Sequence, residues 1–181
     1  KWRERRAYPL IIRWLSLPGE DAFEIGGDTV TQDGARFLAS TFDGDLEPIK
    51  SLILNRQANE YCRGQAVESM ALLAAWGEVP REIVEDHFLW LAREALDREF
   101  SHVWDSLASS AVDIEALRTF SELRRAYDEG LIDPGFAITC PLSIPSLSTP
   151  LNNNPTLSPA CPSSSSFLNI STPVTTVLLV S

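Results

Sequence analysis

Residues 59–77, NEYCRGQAVESMALLAAWG, are the stretch that decides the fold. Small and apolar residues recur in it every three or four positions, which is the spacing of one face of an α-helix. That face carries Cys62, Ala66, Met70, Leu73 and Ala74. Gly77 follows it, and a glycine at such a place favours the end of a helix. The stretch therefore predicts one long helix that ends at Gly77.

The rest of the chain up to residue 130 shows the same helical periodicity. Asp45, Ser101 and Asp113 stand where their side chains can cap helices. The segment 20–30, which contains a Gly-Gly pair, is predicted to form a loop. No segment alternates apolar and polar residues, so no sheet is predicted. The chain is therefore predicted to be all-α, with further helices at 5–17, 31–42, 46–54, 80–97, 102–112 and 114–129.

The predicted helices repeat in pairs along the sequence. Equivalent positions in the first helices of the pairs, 39 and then 36 residues apart, are Pro9, Pro48 and Val84. Equivalent positions in the second helices, 31 and then 41 residues apart, are Ala35, Ala66 and Leu107. A period of about 35–45 residues is typical of helical solenoids of the HEAT or armadillo type, in which stacked neighbours bury each pair on both sides. We predict a short HEAT-like α-solenoid of about three helix pairs and a final helix.

Five segments resemble a known family, and they occur in that family's order. They are RERRAYPLI (3–11), LASTFDGDLEPIKSLI (38–53), ANEYCRGQAVESM (58–70), HVWDSL (102–107) and RRAYDEGLIDPGF (124–136). On these segments, residues 1–136 resemble the bacterial domain-of-unknown-function family 1186. The resemblance implies an uncharacterised HEAT-like helical domain with no established activity. Some relatives continue into a cysteine-rich zinc motif like that of the SecA translocase, which nothing in this chain matches.

Charge divides the chain into three parts. Residues 1–16 carry five basic residues and one acidic residue, whereas residues 17–133 have a net charge of −14. An acidic surface repels a phosphate backbone, so we expect a protein or peptide partner and not nucleic acid. No apolar run approaches the ~18–20 residues that span a bilayer. Three cysteines without a disulfide framework favour a reducing compartment, so we predict a cytoplasmic protein.

The third part, residues 137–181, has seven prolines and neither glycine nor charge. Such a segment cannot build a helix or a core of its own. We interpret it as a disordered or out-of-frame tail after a domain at 1–136, and a Ser/Pro-rich linker is the alternative. Because the chain begins with Lys1, we also expect its first helix to be incomplete.

No motif of a known catalytic site occurs in the chain, and neither a metal site nor a cofactor is predicted. Asp43 and Asp45 flank Gly44 and could bind a hard cation, but a turn between helices needs the same residues. His87 and His102 have no partner at the spacing of metal ligands, so we expect surface or core roles for them. Cys62 is predicted to be buried and inert.

The candidate binding residues come from aligning the second helices of the pairs. The alignment places Tyr61 with His102, Arg63 with Trp104, and Gly64 with Asp105. Second helices usually line the concave face of a solenoid, where aromatic residues and arginines anchor partners. We expect exposed Tyr61, Arg63, His102 and Asp105. Packing of Tyr61 and Trp104 between repeats is the alternative.

Two classes of function follow from this reading. The first is a non-catalytic scaffold for protein–protein interaction. The alternative is a HEAT-like enzyme, bilin lyase-like or base-excision-like, with a pocket on the concave face. A cleft holding an aromatic residue beside a carboxylate of raised pKa would favour the enzyme, and Trp104 with Asp105 or Asp43 are the candidates for it.

Overall fold

The computed structural model describes residues 4–137, which form helices and connecting turns. Within that range the only β-type pairing is a pair of isolated bridges from Pro18 and Gly19 to Ala58, so the predicted all-α class is confirmed. No helix in it is long and apolar enough to cross a membrane. The helices are α1 (Tyr8–Leu15), α2 (Asp21–Gly26), α3 (Thr29–Thr41), α4 (Glu47–Leu54), α5 (Glu60–Ala75), α6 (Arg81–Trp90), α7 (His102–Asp113), α8 (Phe120–Asp128) and α9 (Pro134–Ala137).

Helix α5 is the centre of the fold and lies within the stretch quoted above. The Asn59 side chain caps it by accepting a hydrogen bond of 2.9 Å from the Tyr61 amide. Gly77, with φ +71°, follows it in the left-handed conformation that commonly ends helices. Helices α3, α4, α6 and α7 all pack against α5. Its buried residues are accordingly spread around its circumference and are Cys62, Gly64, Gln65, Ala66, Val67, Ser69, Met70, Ala71 and Leu73.

Helices that lie near one another in the sequence also pack against one another. Helix α1 contacts α3, α4 contacts α5, and α6 contacts α7. The second helices of these pairs also contact one another in order, because α5 packs against both α3 and α7. Helices α5 and α7 run parallel: Tyr61 and His102 meet near their first residues, and Ala75 and Asp113 line one cavity at their last.

Two glycines allow α5 to approach its neighbours closely. A Cβ atom added at Gly64 would lie 2.5 Å from Ser106 Oγ and 3.1 Å from His102 Cδ2, both on α7. One added at Gly34 of α3 would lie 3.1 Å from Gln65 Cγ. Gln65 of α5 also links α5 to α3, because its Oε1 accepts a hydrogen bond of 2.9 Å from the Ala35 amide of α3. Contact at this distance leaves no room for a larger residue at Gly64.

The segment 20–30, predicted to be a loop, contains helix α2, so that prediction is wrong. Ala22 is completely buried and its carbonyl accepts a hydrogen bond of 3.0 Å from the Trp14 indole. The ring of Trp14 also covers Gly26, the last residue of α2. Tertiary packing against Trp14 therefore stabilises a six-residue helix that the local sequence does not predict.

The predicted helices at 80–97 and 114–129 need different bounds. Helix α6 ends at Trp90, and Leu91–Ala95 continue as a π-helical turn. Asp113 is the last residue of α7 and does not cap the next helix. After it, Glu115 takes a positive φ of 50° and Leu117–Thr119 form a 3₁₀ turn before α8 begins. A non-glycine residue in the left-handed region breaks the helical path, which explains the later start. The predicted tail, apart from Ala137, lies outside the described residues.

The contact at Gly64 gives the first testable prediction. Alanine forms helices better than glycine by about 1 kcal/mol, yet we expect Gly64→Ala to lower the free energy of unfolding by about 1–3 kcal/mol through overpacking. Urea unfolding followed by circular dichroism measures this. Adding Ser106→Ala removes the Oγ atom at 2.5 Å, so the two substitutions should couple by at least about 0.5 kcal/mol. Strict additivity, or a Gly64→Ala protein more stable than the wild type, would contradict the contact.

Candidate functional site

The N-terminal ends of α5 and α7 bring two of the predicted binding residues together. The rings of Tyr61 and His102 lie with centroids 4.5 Å apart and planes tilted by 37°. Phe23 meets Tyr61 edge-on at 6.2 Å. The Glu60 carboxylate accepts a hydrogen bond of 2.6 Å from the His102 amide and so joins the two helix ends. Tyr61 is nevertheless 42% exposed.

Arg63 and Trp104 lie at the same ends of these helices but differ in exposure. Arg63 is half-buried, and its Nε donates a hydrogen bond of 2.8 Å to the Ile53 carbonyl of α4. Burial lowers the pKa of its guanidinium, and nearby Asp97 partly opposes that shift. Both residues line a small cavity of about 90 Å³, whose rim includes Phe100, 61% exposed.

Trp104 is fully buried and packs in the core. Its indole donates a hydrogen bond of 3.0 Å to the Asp97 carbonyl. The guanidinium of Arg98 lies over its ring at 5.2 Å, a cation–π arrangement. Trp104 therefore fixes the loop between α6 and α7 and is not itself available to a partner.

Asp105 is buried, so the expectation that it is exposed is wrong. Only 3% of the residue is accessible, and its Oδ1 accepts a hydrogen bond of 2.8 Å from the Asp133 amide. Its Oδ2 lies 3.7 Å from His102 Nδ1. Asp105 therefore secures the segment that follows α8.

Glu68 lies on the same surface as Tyr61 and His102, but the alignment of the repeats did not identify it. Its carboxylate accepts hydrogen bonds of 3.1 Å from Ser106 Oγ and 3.0 Å from Gln65 Nε2. Burial raises the pKa of this carboxyl, while the bond from Ser106 and the nearby His102 act in the opposite direction. Glu68 stands seven residues after Tyr61, on the same face of α5. That spacing could have identified it from the sequence as a neighbour of Tyr61.

Together, Tyr61, Glu68 and His102 make a mixed strip along α5 and α7, which we call the α5–α7 strip. It offers an aromatic face, an imidazole whose side chain is 21% exposed, and a partly buried carboxylate. Such a set can stack on an apolar group and hydrogen-bond a polar one. Across residues 4–137, no three His, Cys, Asp or Glu side chains come close enough together to hold a metal ion.

The turn around Gly44 and the thiol of Cys62 have structural explanations. Asp43 accepts a hydrogen bond of 3.0 Å from the Asp45 amide, and Asp45 accepts one of 2.9 Å from the Glu47 amide. Both carboxylates thus organise the turn, in which Gly44 has φ +115°. Cys62 is buried as predicted, and burial raises the pKa of its thiol to about 11. A thiol protonated at neutral pH is a poor nucleophile.

His87 lies in α6, away from the α5–α7 strip. The residue is 9% exposed, and no described residue hydrogen-bonds its buried Nε2. Burial, and then the ammonium of Lys50, lower the pKa of the imidazole to about 4, although Glu47 acts in the opposite direction. The folded protein therefore holds His87 neutral at pH 7.

This lowered pKa predicts how stability depends on pH. In the unfolded chain the imidazole of His87 has a pKa near 6.5, so as the pH falls it binds a proton at a higher pH than it does in the folded protein. The contribution of neutral His87 is therefore complete above pH 6.5 and is lost towards pH 4, by on the order of 3 kcal/mol in all. We expect wild type to lose stability over this range faster than His87→Phe, as measured by urea unfolding at several pH values. Parallel losses in both proteins would contradict a neutral, buried His87.

The structural role of Asp105 predicts the effect of removing it. Asp105→Ala leaves the Asp133 amide without its partner, so we expect unfolding to require about 1–3 kcal/mol less free energy. Hydrogen exchange at that amide should also become faster. Asp86→Ala is the control, because its ion pair of 2.8 Å with Arg118 is exposed and contributes about 1 kcal/mol or less. Equal effects of the two substitutions would argue against a buried Asp105.

Comparisons with known proteins place the chain among uncharacterised relatives. A family model described as "Protein of unknown function (DUF1186)" matches residues 1–140. An uncharacterized protein of Chlamydia trachomatis serovar D is 34% identical over 136 residues, which cover 75% of this chain and 54% of the relative. One from Chlamydia muridarum is 33% identical over the same shares. The chain thus spans about half the length of these curated relatives. No solved structure matches.

Proposed function

We propose that this chain, which belongs to the DUF1186 family of proteins of unknown function, is a non-catalytic scaffold for protein–protein interaction. The observation that carries the proposal is the pairing of Tyr61 with His102 at the ends of α5 and α7. Tyr61 is exposed although its ring is already held between His102 and Phe23. An aromatic side chain ordered before binding loses little further entropy when a partner covers it.

The architecture we propose is a short HEAT-like solenoid. Three consecutive helix pairs and the contacts of α5 with both α3 and α7 support it. So does the parallel course of α5 and α7, since stacked helix pairs repeat with the same direction. In such an array the second helices present one continuous face. The α5–α7 strip would lie on that face.

The partner we propose is a protein or peptide that brings basic and apolar groups together. Two carboxylates close to Tyr61 and His102 favour this choice. Glu60 accepts a hydrogen bond from the His102 amide, and Glu20 accepts one of 2.8 Å from the side chain of Asn59. The net charge of −14 on residues 17–133 adds long-range attraction for basic partners and repels nucleic acid. We place the protein in the cytoplasm, where its buried Cys62 would stay reduced.

The alternative of a HEAT-like enzyme, bilin lyase-like or base-excision-like, is favoured by one observation. Glu68 is a carboxyl of raised pKa near His102, a combination that can transfer protons. Asp105, a candidate carboxylate for catalysis, instead accepts a hydrogen bond from the Asp133 amide, and the thiol of Cys62 is buried. The scaffold function therefore ranks first.

A peptide library displayed on phage tests the proposal with the full chain as bait. We expect enrichment of peptides that combine basic residues with an apolar anchor. Tyr61→Ala should raise the Kd of a selected peptide at least tenfold, which corresponds to about 1.4 kcal/mol or more. Leu117→Ala, which trims another exposed apolar side chain on a different turn, is the matched control and should leave the Kd unchanged.

Two outcomes would count against this function. One is a library that yields no peptide binding the folded protein. The other is a set of peptides whose Kd is as sensitive to Leu117→Ala as to Tyr61→Ala, since binding would then be unrelated to the α5–α7 strip.

A further inference from the structure

The small cavity beside the first turns of α5 and α7 is lined by none of the three residues of the α5–α7 strip, so a ligand bound there is independent of the function proposed above. Its volume of about 90 Å³ gives room for a few water molecules or for one small polar group. The polar residues that line it are Arg63, Asp97, Glu99 and Ser101.

The guanidinium of Arg63 has hydrogen-bonding capacity that the fold does not use. Its Nε donates a hydrogen bond of 2.8 Å to the Ile53 carbonyl, which holds the side chain in place. No described residue accepts a hydrogen bond from its Nη1 or Nη2, and neither atom is closed to solvent. Within residues 4–137 the guanidinium also makes no ion pair. A half-buried cation therefore keeps N–H groups that a ligand can use, and hydrogen bonds from a charged donor are strong.

Asp97 provides a hydrogen-bond acceptor close to this donor. Burial lowers the pKa of the Arg63 guanidinium, and the charge of Asp97 is the strongest influence in the opposite direction, so the two charged groups are near each other. They do not pair, because Asp97 Oδ1 is ion-paired with Arg56. No described residue donates a hydrogen bond to Asp97 Oδ2, and this side chain is 45% exposed. A donor and an acceptor thus line the same cavity without bonding to each other.

The charges around the cavity favour a neutral ligand. A carboxylate could accept hydrogen bonds from Arg63, but the negative charges of Asp97 and Glu99 would repel it. An ammonium group would be attracted by these two carboxylates but repelled by the guanidinium. A neutral group that both accepts and donates hydrogen bonds can satisfy Arg63 and Asp97 together. It also reproduces the hydrogen bonds of the water that it displaces, so its binding loses none of them.

We propose that this cavity binds a primary carboxamide, whose oxygen accepts hydrogen bonds from Arg63 and whose nitrogen donates to Asp97. A carboxamide carries an acceptor oxygen and a donor NH₂ group on one planar, uncharged unit. Phe100, which is 61% exposed at the rim, can cover the aliphatic carbon atoms that lead to the amide. Either a free small amide or the asparagine or glutamine side chain of a partner protein supplies this chemistry.

The test uses the full chain and three probes of nearly the same shape. Propionamide carries the carboxamide, butanone has a methyl group in place of NH₂, and propanoate has a charged oxygen there. NMR titrations follow the indole N–H signals of the five tryptophans. Trp104 lines the cavity, whereas the indole of Trp14 bonds the Ala22 carbonyl elsewhere. We expect propionamide to shift the signal of Trp104 and not that of Trp14, and to bind at least about threefold more tightly than either other probe.

Three variants separate the acceptor, the donor and the net charge. Asp97→Ala keeps the main-chain carbonyl that the Trp104 indole bonds. Propionamide should then bind no better than butanone, and propanoate should bind at least about threefold more tightly than to wild type, a gain that unfolding cannot produce. Arg63→Met should weaken all three probes. Glu82→Ala, the matched control, removes an exposed charge outside the cavity and should leave all three affinities unchanged.

A tripeptide with a central glutamine, blocked by acetyl and N-methylamide groups, distinguishes the sources of the carboxamide. Tighter binding than that of propionamide indicates a partner's side chain, and equal or weaker binding indicates a free small amide. Equal binding of propionamide and butanone to wild type would overturn the proposal. So would an unchanged Trp104 signal, or the same gain for propanoate in Asp97→Ala and Glu82→Ala.

Discussion

The close packing of α5 between α3 and α7 is the constraint on which the rest of the structure depends. A helix surrounded by other helices can expose little of its surface, so its residues must be small where the neighbours come nearest. Gly64 satisfies this requirement against α7, and Gly34 does so against α3. Glycine weakens a helix by about 1 kcal/mol, and here the packing it permits outweighs that cost. The glycines at positions 34 and 64 therefore favour close packing between helices over intrinsic helix stability.

The same packing determines what the surface offers. Because α5 and α7 run parallel and close together, their first turns bring Tyr61 and His102 into ring contact. Further along, the hydrogen bond from Ser106 of α7 to Glu68 of α5 bridges the gap between them, and Gln65 of α5 donates a second hydrogen bond to Glu68. A partly buried carboxylate is tolerated there because these donors replace water. The α5–α7 strip is thus a consequence of how the core is assembled and not an addition to it.

Much of this fold could be predicted from the sequence, and the misses have physical reasons. Periodicity located α3, α4, α5 and α7 because small and apolar residues recur in them at helical spacing. The family resemblance is confirmed by the family model that matches residues 1–140. Helix α2 was missed because it depends on the Trp14 ring, a tertiary contact. The late start of α8 depends on the backbone of Glu115. Repeat alignment found Tyr61 and His102, but it could not reveal that Asp105 faces the Asp133 amide or that Glu68 completes the surface.

The central claim is that α5 and α7 pack closely enough to stack Tyr61 on His102 in solution. A nuclear Overhauser spectrum measures this directly, since the chain has three tyrosines and two histidines and their ring protons can be assigned by substitution. Ring centroids 4.5 Å apart should give strong cross-peaks between the Tyr61 and His102 ring protons. If the His102 ring shows cross-peaks only to residues of its own helix, the two helices do not meet in this way, and the account of the surface is wrong.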